Sequence, residues 1–237
     1  MEEPKPDFSN SAYLFPRINR EGFKFGIPAL AVAVAVFTMS FSFWWLGALV
    51  FPVFLLAYGV FLFFRDPDRY PPEDPKAILS PADGRVCMVC ECGMPDSFAD
   101  LEETVGRKYW RVSVFMSVFN VHVNRMPTAG EILEKEYVAA GRFLNASLDK
   151  ASKENERCNY LVRAENGQIY GVVQIAGLVA RRIVPQVEKG QKLGRTERFG
   201  LIRFGSRLDV YLPEGVKPEV RVGQTMVAGE TVLGRLS

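Results

Sequence analysis

The chain has 237 residues, a net charge of +2 and 48% hydrophobic residues, so it is long enough for one domain with an accessory segment and is not a disordered chain. The charge balance is too mild for a typical nucleic-acid-binding protein, which usually carries a concentrated basic stripe. The single histidine, His122, excludes mechanisms and zinc sites that require two histidines.

The first predicted element is an uncharged stretch of forty residues, 25–64. About 20 apolar residues cross a membrane once, so the stretch predicts a membrane hairpin that either crosses twice or is re-entrant. It is too long for a cleaved signal peptide, and a pair of soluble helices would show a polar face. Basic residues flank it, namely Arg17, Arg20, Lys24, Arg65 and Arg69. The positive-inside rule then predicts the inner cell membrane, with segment 1–24 and the rest of the chain on the cytoplasmic side.

After the hairpin, the sequence changes to the patterns of a β domain. Residues 65–77 are rich in proline and aspartate and predict a linker. Residues 78–237 contain short alternating runs separated by glycine, proline and asparagine, which favours a mainly β domain of barrel-like or sandwich-like type. The runs that predict strands are 107–119, 130–138, 160–165, 169–177, 207–212 and 218–223. A polar stretch, 144–157, interrupts them and predicts a short helix or a loop.

The cysteines do not form a recognisable metal motif. Cys87, Cys90 and Cys92 are spaced C-x2-C-x-C, which is not a standard zinc spacing, and Cys158 lies far away in sequence. We therefore expect reduced, structural thiols and no metal site.

Three separated residues carry the groups of a nucleophilic site. They are Asp83 in SPADGRV, His122 in FNVHVNRMP and Ser206 in RFGSRLDVYLP. Such a set is recognised by its geometry in space and not by its order in the chain. Residue types alone leave a structural alternative open, because Asp-Gly and Gly-Ser pairs are ordinary turn residues and a lone histidine is often structural.

The context of these residues is more specific. The motifs FFRDPDR, SPADGRV, FMSVFNVHVNRMP and RFGSRLDVYLP, in this order, resemble the short, archaeal type of the phosphatidylserine decarboxylase family, which is pyruvoyl-dependent. The resemblance runs from about residue 60 to the C-terminus. It implies a proenzyme that cuts itself between Gly205 and Ser206. The long chain, 1–205, and the short chain, 206–237, would stay together as a heterodimer, and a higher oligomer is left open.

The resemblance also implies how the cut occurs. The Oγ of Ser206 attacks the carbonyl of Gly205, and the resulting ester eliminates to a dehydroalanine that hydrolyses to a pyruvoyl group and ammonia. A serine hydroxyl needs a neighbouring base, and this role falls to His122. Asp83 would hold the imidazole, and Gly205 would permit a strained backbone.

The cofactor implied is pyruvate, bound covalently as the pyruvoyl group derived from Ser206. Its ketone would form a Schiff base with the amine of phosphatidylserine and accept electrons as carbon dioxide leaves. His122 would then protonate the carbanion, and phosphatidylethanolamine would be released. A lipid phosphodiester needs cationic or N–H donors. The candidate substrate contacts are Asn124, Arg125, Lys150, Arg181 and Arg182, although the basic ones could equally be solvated residues.

One departure from the family pattern concerns the base. The better-known bacterial and mitochondrial branch has a second histidine where this chain has Arg125. Either His122 serves both self-cleavage and decarboxylation, or another group drives the cut.

Two other functions stay open. The enzyme could decarboxylate a different serine phospholipid. Alternatively, the chain could be a non-enzymatic, membrane-anchored β domain, because residues 220–236 resemble the hairpins of lipoyl- and biotinyl-type domains. That stretch lacks a lysine at the hairpin tip, which counts against a carrier of this type.

Overall fold

The computed structural model describes residues 16–139, 155–177, 182–203 and 206–237. Contacts divide the chain into two units, Met1–Asp68 and Arg69–Ser237. The described part of the first unit is mainly helical, and that of the second consists mainly of strands. The predicted mainly β fold with an N-terminal helix pair is therefore confirmed.

Two apolar helices form the first unit. Helix α1 spans Arg20–Ser40, a short 3-10 turn spans Trp44–Leu46, and helix α2 spans Gly47–Phe63. The segments Arg20–Ser40 and Trp44–Phe63 have mean hydropathies of 1.7 and 2.4 and are long and apolar enough to cross a membrane. Helix α1 begins before residue 25, because Asn19 caps it by accepting a hydrogen bond from the Glu21 backbone N–H at 3.1 Å.

The outer ends of the two helices lie side by side. Strand β1, Arg17–Ile18, pairs antiparallel with strand β2, Arg65–Asp66. In addition, the Asn19 N–H donates to the Phe64 carbonyl at 2.8 Å. The helix pair is thus closed at its base, as expected of a hairpin.

Three antiparallel sheets make up the second unit in the described part of the chain. The strands are β3 Ala77–Leu79, β4 Gly84–Cys92, β5 Tyr109–Met116, β6 Val123–Arg125, β7 Gly130–Val138, β8 Arg157–Ala164, β9 Ile169–Ala176, β10 Arg182–Pro185, β11 Lys192–Leu193, β12 Arg198–Arg203, β13 Ser206–Tyr211, β14 Thr225–Met226 and β15 Val232–Arg235. The central sheet has the order β11-β7-β8-β9-β13-β5-β4-β14. The small sheets have the orders β10-β12-β6 and β15-β3.

The main core lies between one face of the central sheet and the two small sheets, which gives a sandwich-like arrangement. It combines Val114 and Leu208 of the central sheet with Ile202 of the three-stranded sheet and Leu233 of the two-stranded sheet. A smaller cluster that includes Phe98 covers the opposite face. This layering follows from the alternation of apolar residues along β5 and β13, because successive side chains point to opposite faces.

The predicted strands match the structure in all but one place. Residues 218–223 do not form a strand, so that prediction is wrong. The Glu219 N–H donates to the Leu233 carbonyl, whereas the Gly223 N–H donates to the Val86 carbonyl. The segment thus crosses between two sheets, and Gly223 turns with a φ of 90°. The polar stretch 144–157 lies outside the described residues except for 155–157.

The four cysteines are free thiols. Burial raises the pKa of both Cys92 and Cys158 to about 11, so these thiols are protonated near neutral pH. In the described parts of the chain, no group of three or more histidine, cysteine or acidic side chains could hold a metal ion.

Gly84 permits the closest approach of β4 to β5. Its φ is 154°, and a Cβ at this position would come within 2.1 Å of the Phe115 carbonyl oxygen. We therefore expect Gly84→Ala to lower the free energy of unfolding by about 2–4 kcal/mol, measured by urea unfolding in detergent. Gly93→Ala is the matched control, because a Cβ there has no contact within 4 Å. Equal stability of the two variants would contradict this explanation.

Candidate active site

The candidate nucleophile lies where the chain passes from one sheet to another. Strand β12 of the three-stranded sheet ends at Arg203, and β13 of the central sheet begins at Ser206. Ser206 is fully buried, with 0% exposure, and it pairs with Met116 on one side and Ala176 on the other. Gly205 lies outside the described residues. Ser206 is thus held at the first position of a central strand, between two neighbours.

His122 lies beside the same junction. The Ile202 N–H donates to the His122 carbonyl at 3.3 Å, and Ile202 is only four residues before Ser206. The buried imidazole has its Nδ1 at 2.9 Å from the Asn120 carbonyl oxygen. A carbonyl oxygen only accepts, so Nδ1 carries the proton. The lone pair of the neutral ring is then on Nε2, as a general base requires.

A tight turn fixes the carbonyl that orients His122. Both the backbone N–H and the hydroxyl of Ser117 donate to Asn120 Oδ1 at 2.8 Å. The Asn120 N–H donates back to the Ser117 carbonyl at 3.0 Å. The turn Ser117–Asn120, in the connection between β5 and β6, therefore sets the direction of the imidazole.

A buried polar chain leads towards Ser206. The Tyr160 hydroxyl donates to Gln174 Oε1 at 3.0 Å, and Gln174 Nε2 donates to Asn124 Oδ1 at 2.8 Å. Asn124 Nδ2 and Ser206 Oγ then contact the same sulfur, Met116 Sδ, at 3.8 and 3.9 Å. Thioether sulfur is a weak acceptor, so the contact leaves the serine hydroxyl able to rotate.

Burial also keeps the tyrosine at the start of this series of hydrogen bonds protonated. Burial raises the pKa of Tyr160 far above its ordinary value, so its hydroxyl remains a donor. The direction of the hydrogen bonds in the chain is therefore constant across the physiological pH range.

Asp83 has partners other than the imidazole. Its two carboxylate oxygens accept from Arg69 Nη2 at 2.8 Å, and Oδ1 also accepts from the Ala228 N–H at 2.8 Å. Within the described residues, these are its hydrogen bonds. The turn that carries Asp83 nevertheless lies beside β6, because the Arg125 N–H donates to the Pro81 carbonyl at 3.0 Å. The geometry favours a positioning role for Asp83.

This arrangement makes a testable prediction. Asp83→Asn and Arg69→Gln should each lower the free energy of unfolding by about 1.5–3 kcal/mol, because each breaks a largely buried charged hydrogen bond. Both variants should retain the self-cleavage that the family resemblance predicts, which is measured by gel electrophoresis beside a urea unfolding curve. Loss of cleavage in Asp83→Asn alone, with Arg69→Gln cleaving normally, would instead assign Asp83 to the orientation of His122.

Comparison with known proteins identifies the family of the chain. The sequence profile of the phosphatidylserine decarboxylase family matches residues 57–234. This chain belongs to the phosphatidylserine decarboxylase family. It is similar to three proteins, each named phosphatidylserine decarboxylase proenzyme. The relative from Erythrobacter litoralis is 49% identical, with 95% of this chain and 90% of the relative covered. The one from Zymomonas mobilis is 46% identical (94% and 88% covered), and the one from Novosphingobium aromaticivorans is 44% identical (95% and 89% covered).

The predicted substrate contacts of this family member lie in different environments. Asn124 belongs to the buried polar chain. Arg125 is buried, and its Nη1 donates to the Thr196 carbonyl at 3.3 Å. Arg182 is exposed at the start of β10, where it pairs with Arg203. Lys150 and Arg181 lie outside the described residues.

Sequence reasoning missed several residues around the site of this decarboxylase-family chain. Gln174 could have been noticed, because a polar residue inside the apolar run GVVQIAG is unusual in a buried strand. Arg207 and Asp209 could also have been paired, since residues two apart in a strand face the same side. They form a fully buried bidentate ion pair, with both N–O distances at 2.7 Å. This pair immediately follows Ser206 and stiffens the start of β13.

Proposed function

We propose that this protein converts phosphatidylserine to phosphatidylethanolamine and carbon dioxide, using a pyruvoyl group that it makes from its own Ser206. The observation that carries the proposal is the position of Ser206. It is a buried serine at the start of a central strand, at a sheet junction that also holds His122. Membership of the family supports the reaction, and the proenzyme names of the relatives support self-processing.

Maturation begins with the hydroxyl of Ser206. Its Oγ attacks the Gly205 carbonyl carbon, while His122 Nε2 takes the hydroxyl proton and returns it to the departing amide nitrogen of residue 206. The peptide C–N bond breaks, and an ester to Oγ forms. Loss of the Cα proton expels the Gly205 carboxylate, and water then replaces the nitrogen, which leaves as ammonia. The Nδ1 hydrogen bond to Asn120 supports this role for His122, because it leaves Nε2 as the basic nitrogen.

The surroundings of residue 206 fit a pyruvoyl group. The group is small and uncharged and needs no metal, and residue 206 lies in a fully buried environment between Met116 and Ala176. The two neighbouring strands would keep its carbon atoms in place after the cut. When present, the group supplies a ketone that condenses with the substrate amine and accepts the electron pair left by carbon dioxide.

The remaining roles fall to side chains around the junction. Arginine cannot act as a base near neutral pH, and Arg125 binds the Thr196 carbonyl, so His122 serves both self-cleavage and the protonation that follows decarboxylation. Asp83 holds its turn beside β6. The substrate phosphodiester binds to donors chosen from Asn124, Arg125, Lys150, Arg181 and Arg182.

The two products of the cut stay together as a heterodimer. The short chain, 206–237, contributes β13, β14 and β15. Strand β13 lies between β5 and β9, while β14 pairs with β4 and β15 pairs with β3. These pairings support a stable two-chain enzyme. Its apolar helices and their flanking basic residues support a position in the inner cell membrane, with the catalytic unit on the cytoplasmic side.

The deciding experiment is the intact mass of the detergent-purified protein, followed by incubation with phosphatidylserine in mixed micelles. We expect a 32-residue C-terminal fragment that is lighter by one ammonia than simple hydrolysis predicts, and we expect release of phosphatidylethanolamine. A single unmodified chain of 26.6 kDa would contradict self-processing. A correctly cut protein that is inactive on this lipid would contradict the proposed substrate only.

A further inference from the structure

The turn that orients His122 has an unusual tip. Turn centres are usually occupied by glycine, proline, asparagine, aspartate or serine, but the two central residues of the Ser117–Asn120 turn are Val118 and Phe119. Val118 is 46% exposed and Phe119 is 82% exposed. In the described part of the second unit, no other large apolar side chain is as exposed as Phe119. We call the segment Ser117–Asn120 the apolar turn.

The apolar turn is well fixed and is connected to the reaction centre on both sides. Hydrogen bonds between Ser117 and Asn120 close it in both directions. On its N-terminal side, Met116 contacts the hydroxyl of Ser206 through its sulfur. On its C-terminal side, the Asn120 carbonyl holds the imidazole of His122. A ligand or surface that binds the tip of the turn is therefore held close to Ser206 and His122, the two proposed catalytic residues.

The short connection between the apolar helices and the second unit indicates what binds the tip of the turn. The second unit begins at Arg69, six residues after α2 ends at Phe63. A fully extended chain spans at most about 3.6 Å per residue, so the unit begins within roughly 22 Å of the end of a helix that is apolar enough to cross a membrane. A lipid surface is thus within reach of the second unit. Phenylalanine is one of the apolar side chains that bury at the boundary between lipid headgroups and acyl chains.

We propose that the apolar turn inserts Val118 and Phe119 into the bilayer interface and thereby sets His122 at the level of the lipid headgroups. This inference rests on the proposed function, because only a substrate embedded in the bilayer gives the insertion a catalytic consequence. The insertion itself can be measured without any activity.

The first test uses fluorescence. The full-length chain carrying Trp44→Phe and Trp45→Phe retains Trp110, and Phe119→Trp or Val105→Trp is added to it. Val105 is also exposed and apolar, at 56%, but it precedes β5 whereas Phe119 follows it. The eight residues of β5, a strand about 25 Å long, lie between the two positions in the chain. In vesicles with brominated acyl chains, we expect the added fluorescence of Phe119→Trp to be quenched and blue-shifted, whereas that of Val105→Trp is not. Equal behaviour of the two would overturn the proposal.

The second test uses activity on two physical forms of the substrate. Phe119→Asp should lower kcat/KM about tenfold or more on phosphatidylserine in vesicles, but should have little effect on a short-chain phosphatidylserine dissolved as monomers. Phe119→Leu should retain the vesicle activity, and Val105→Asp should behave as the unsubstituted chain. Equal losses of Phe119→Asp on both substrates would overturn the proposal, since the turn would then act only through the shape of the site.

The two tests separate this inference from the proposed function. If the chain matures and acts on monomeric phosphatidylserine, but Phe119→Trp shows no quenching, insertion is refuted and the proposed function stands. A chain that inserts its turn but never cuts itself would refute the proposed function alone.

Discussion

Replacement of Ser206 by alanine is expected to leave one chain of 26.6 kDa that releases no measurable carbon dioxide from phosphatidylserine. The hydroxyl is the proposed nucleophile of the cut, and its elimination as part of the Gly205 carboxylate is the step from which the pyruvoyl group forms, so one substitution removes both maturation and turnover. The change itself is small, because among the described residues the hydroxyl has one hydrogen-bond contact, to the weak acceptor Met116 Sδ at 3.9 Å. Intact mass and a radiometric assay of released carbon dioxide measure the two effects separately.

Ser113 provides the matched control. It is also fully buried in the central sheet, and it pairs with Asp209, three residues after Ser206 along β13. Its Oγ has no hydrogen-bond partner among the described residues, so Ser113→Ala removes a hydroxyl without breaking a contact. We expect this variant to mature and to turn over normally. Normal cleavage of Ser206→Ala would show that another residue attacks the backbone.

The second large effect is expected at His122. In His122→Asn, the amide Nδ2 can donate to the Asn120 carbonyl as Nδ1 does, so the local hydrogen bond is retained while the basic nitrogen is lost. General acid–base catalysis contributes about 10²–10⁴-fold to a rate. We therefore expect self-cleavage to slow by about this factor, measured as the appearance of the short chain over time on denaturing gels.

The same variant separates the two proposed roles of His122. Dividing the rate of carbon dioxide release by the amount of short chain formed gives the turnover of each matured molecule. A further fall in this ratio indicates that His122 also supplies the proton after decarboxylation, and an unchanged ratio restricts it to the cut. A thermal unfolding midpoint close to that of the unsubstituted chain excludes misfolding. Cleavage at the normal rate would assign the base to another group.

Local patterns predicted most of the fold correctly. The 130–138 run is β7, Gly130–Val138, and the 169–177 run is β9, Ile169–Ala176, because alternation of apolar residues reflects a two-sided sheet. The segment 218–223 has the same alternation but bridges two sheets through Glu219 and Gly223. Alternation does not determine which strand receives each backbone hydrogen bond, and in this segment Val220 is buried whereas Val222 is 63% exposed.

The candidate site was predicted less completely, for a related reason. Ser206 and His122 stand in recognisable motifs, and the structure brings both to one junction. The partner of Asp83 was predicted to be the imidazole, but the structure gives Arg69 and the Ala228 N–H. Which hydrogen-bond partner a polar side chain finds among groups distant in sequence depends on tertiary packing, which local patterns do not describe. The chain of Tyr160, Gln174 and Asn124 could not be foreseen for the same reason, since its members come from three different strands.

The position of β13 between β5 and β9 would have a thermodynamic consequence for the two-chain protein that the proposed cut produces. The uncut precursor unfolds to one chain, so its unfolding is unimolecular and its midpoint does not depend on protein concentration. Once the bond before residue 206 is broken, unfolding releases two separate chains, and refolding requires these two chains to associate. The midpoint of the matured protein then rises with concentration by mass action. Recovery from denaturant would require a 32-residue chain to find its place in the middle of a sheet. Under the proposed self-cleavage, we therefore expect the fold to be reached more efficiently before the cut than after it.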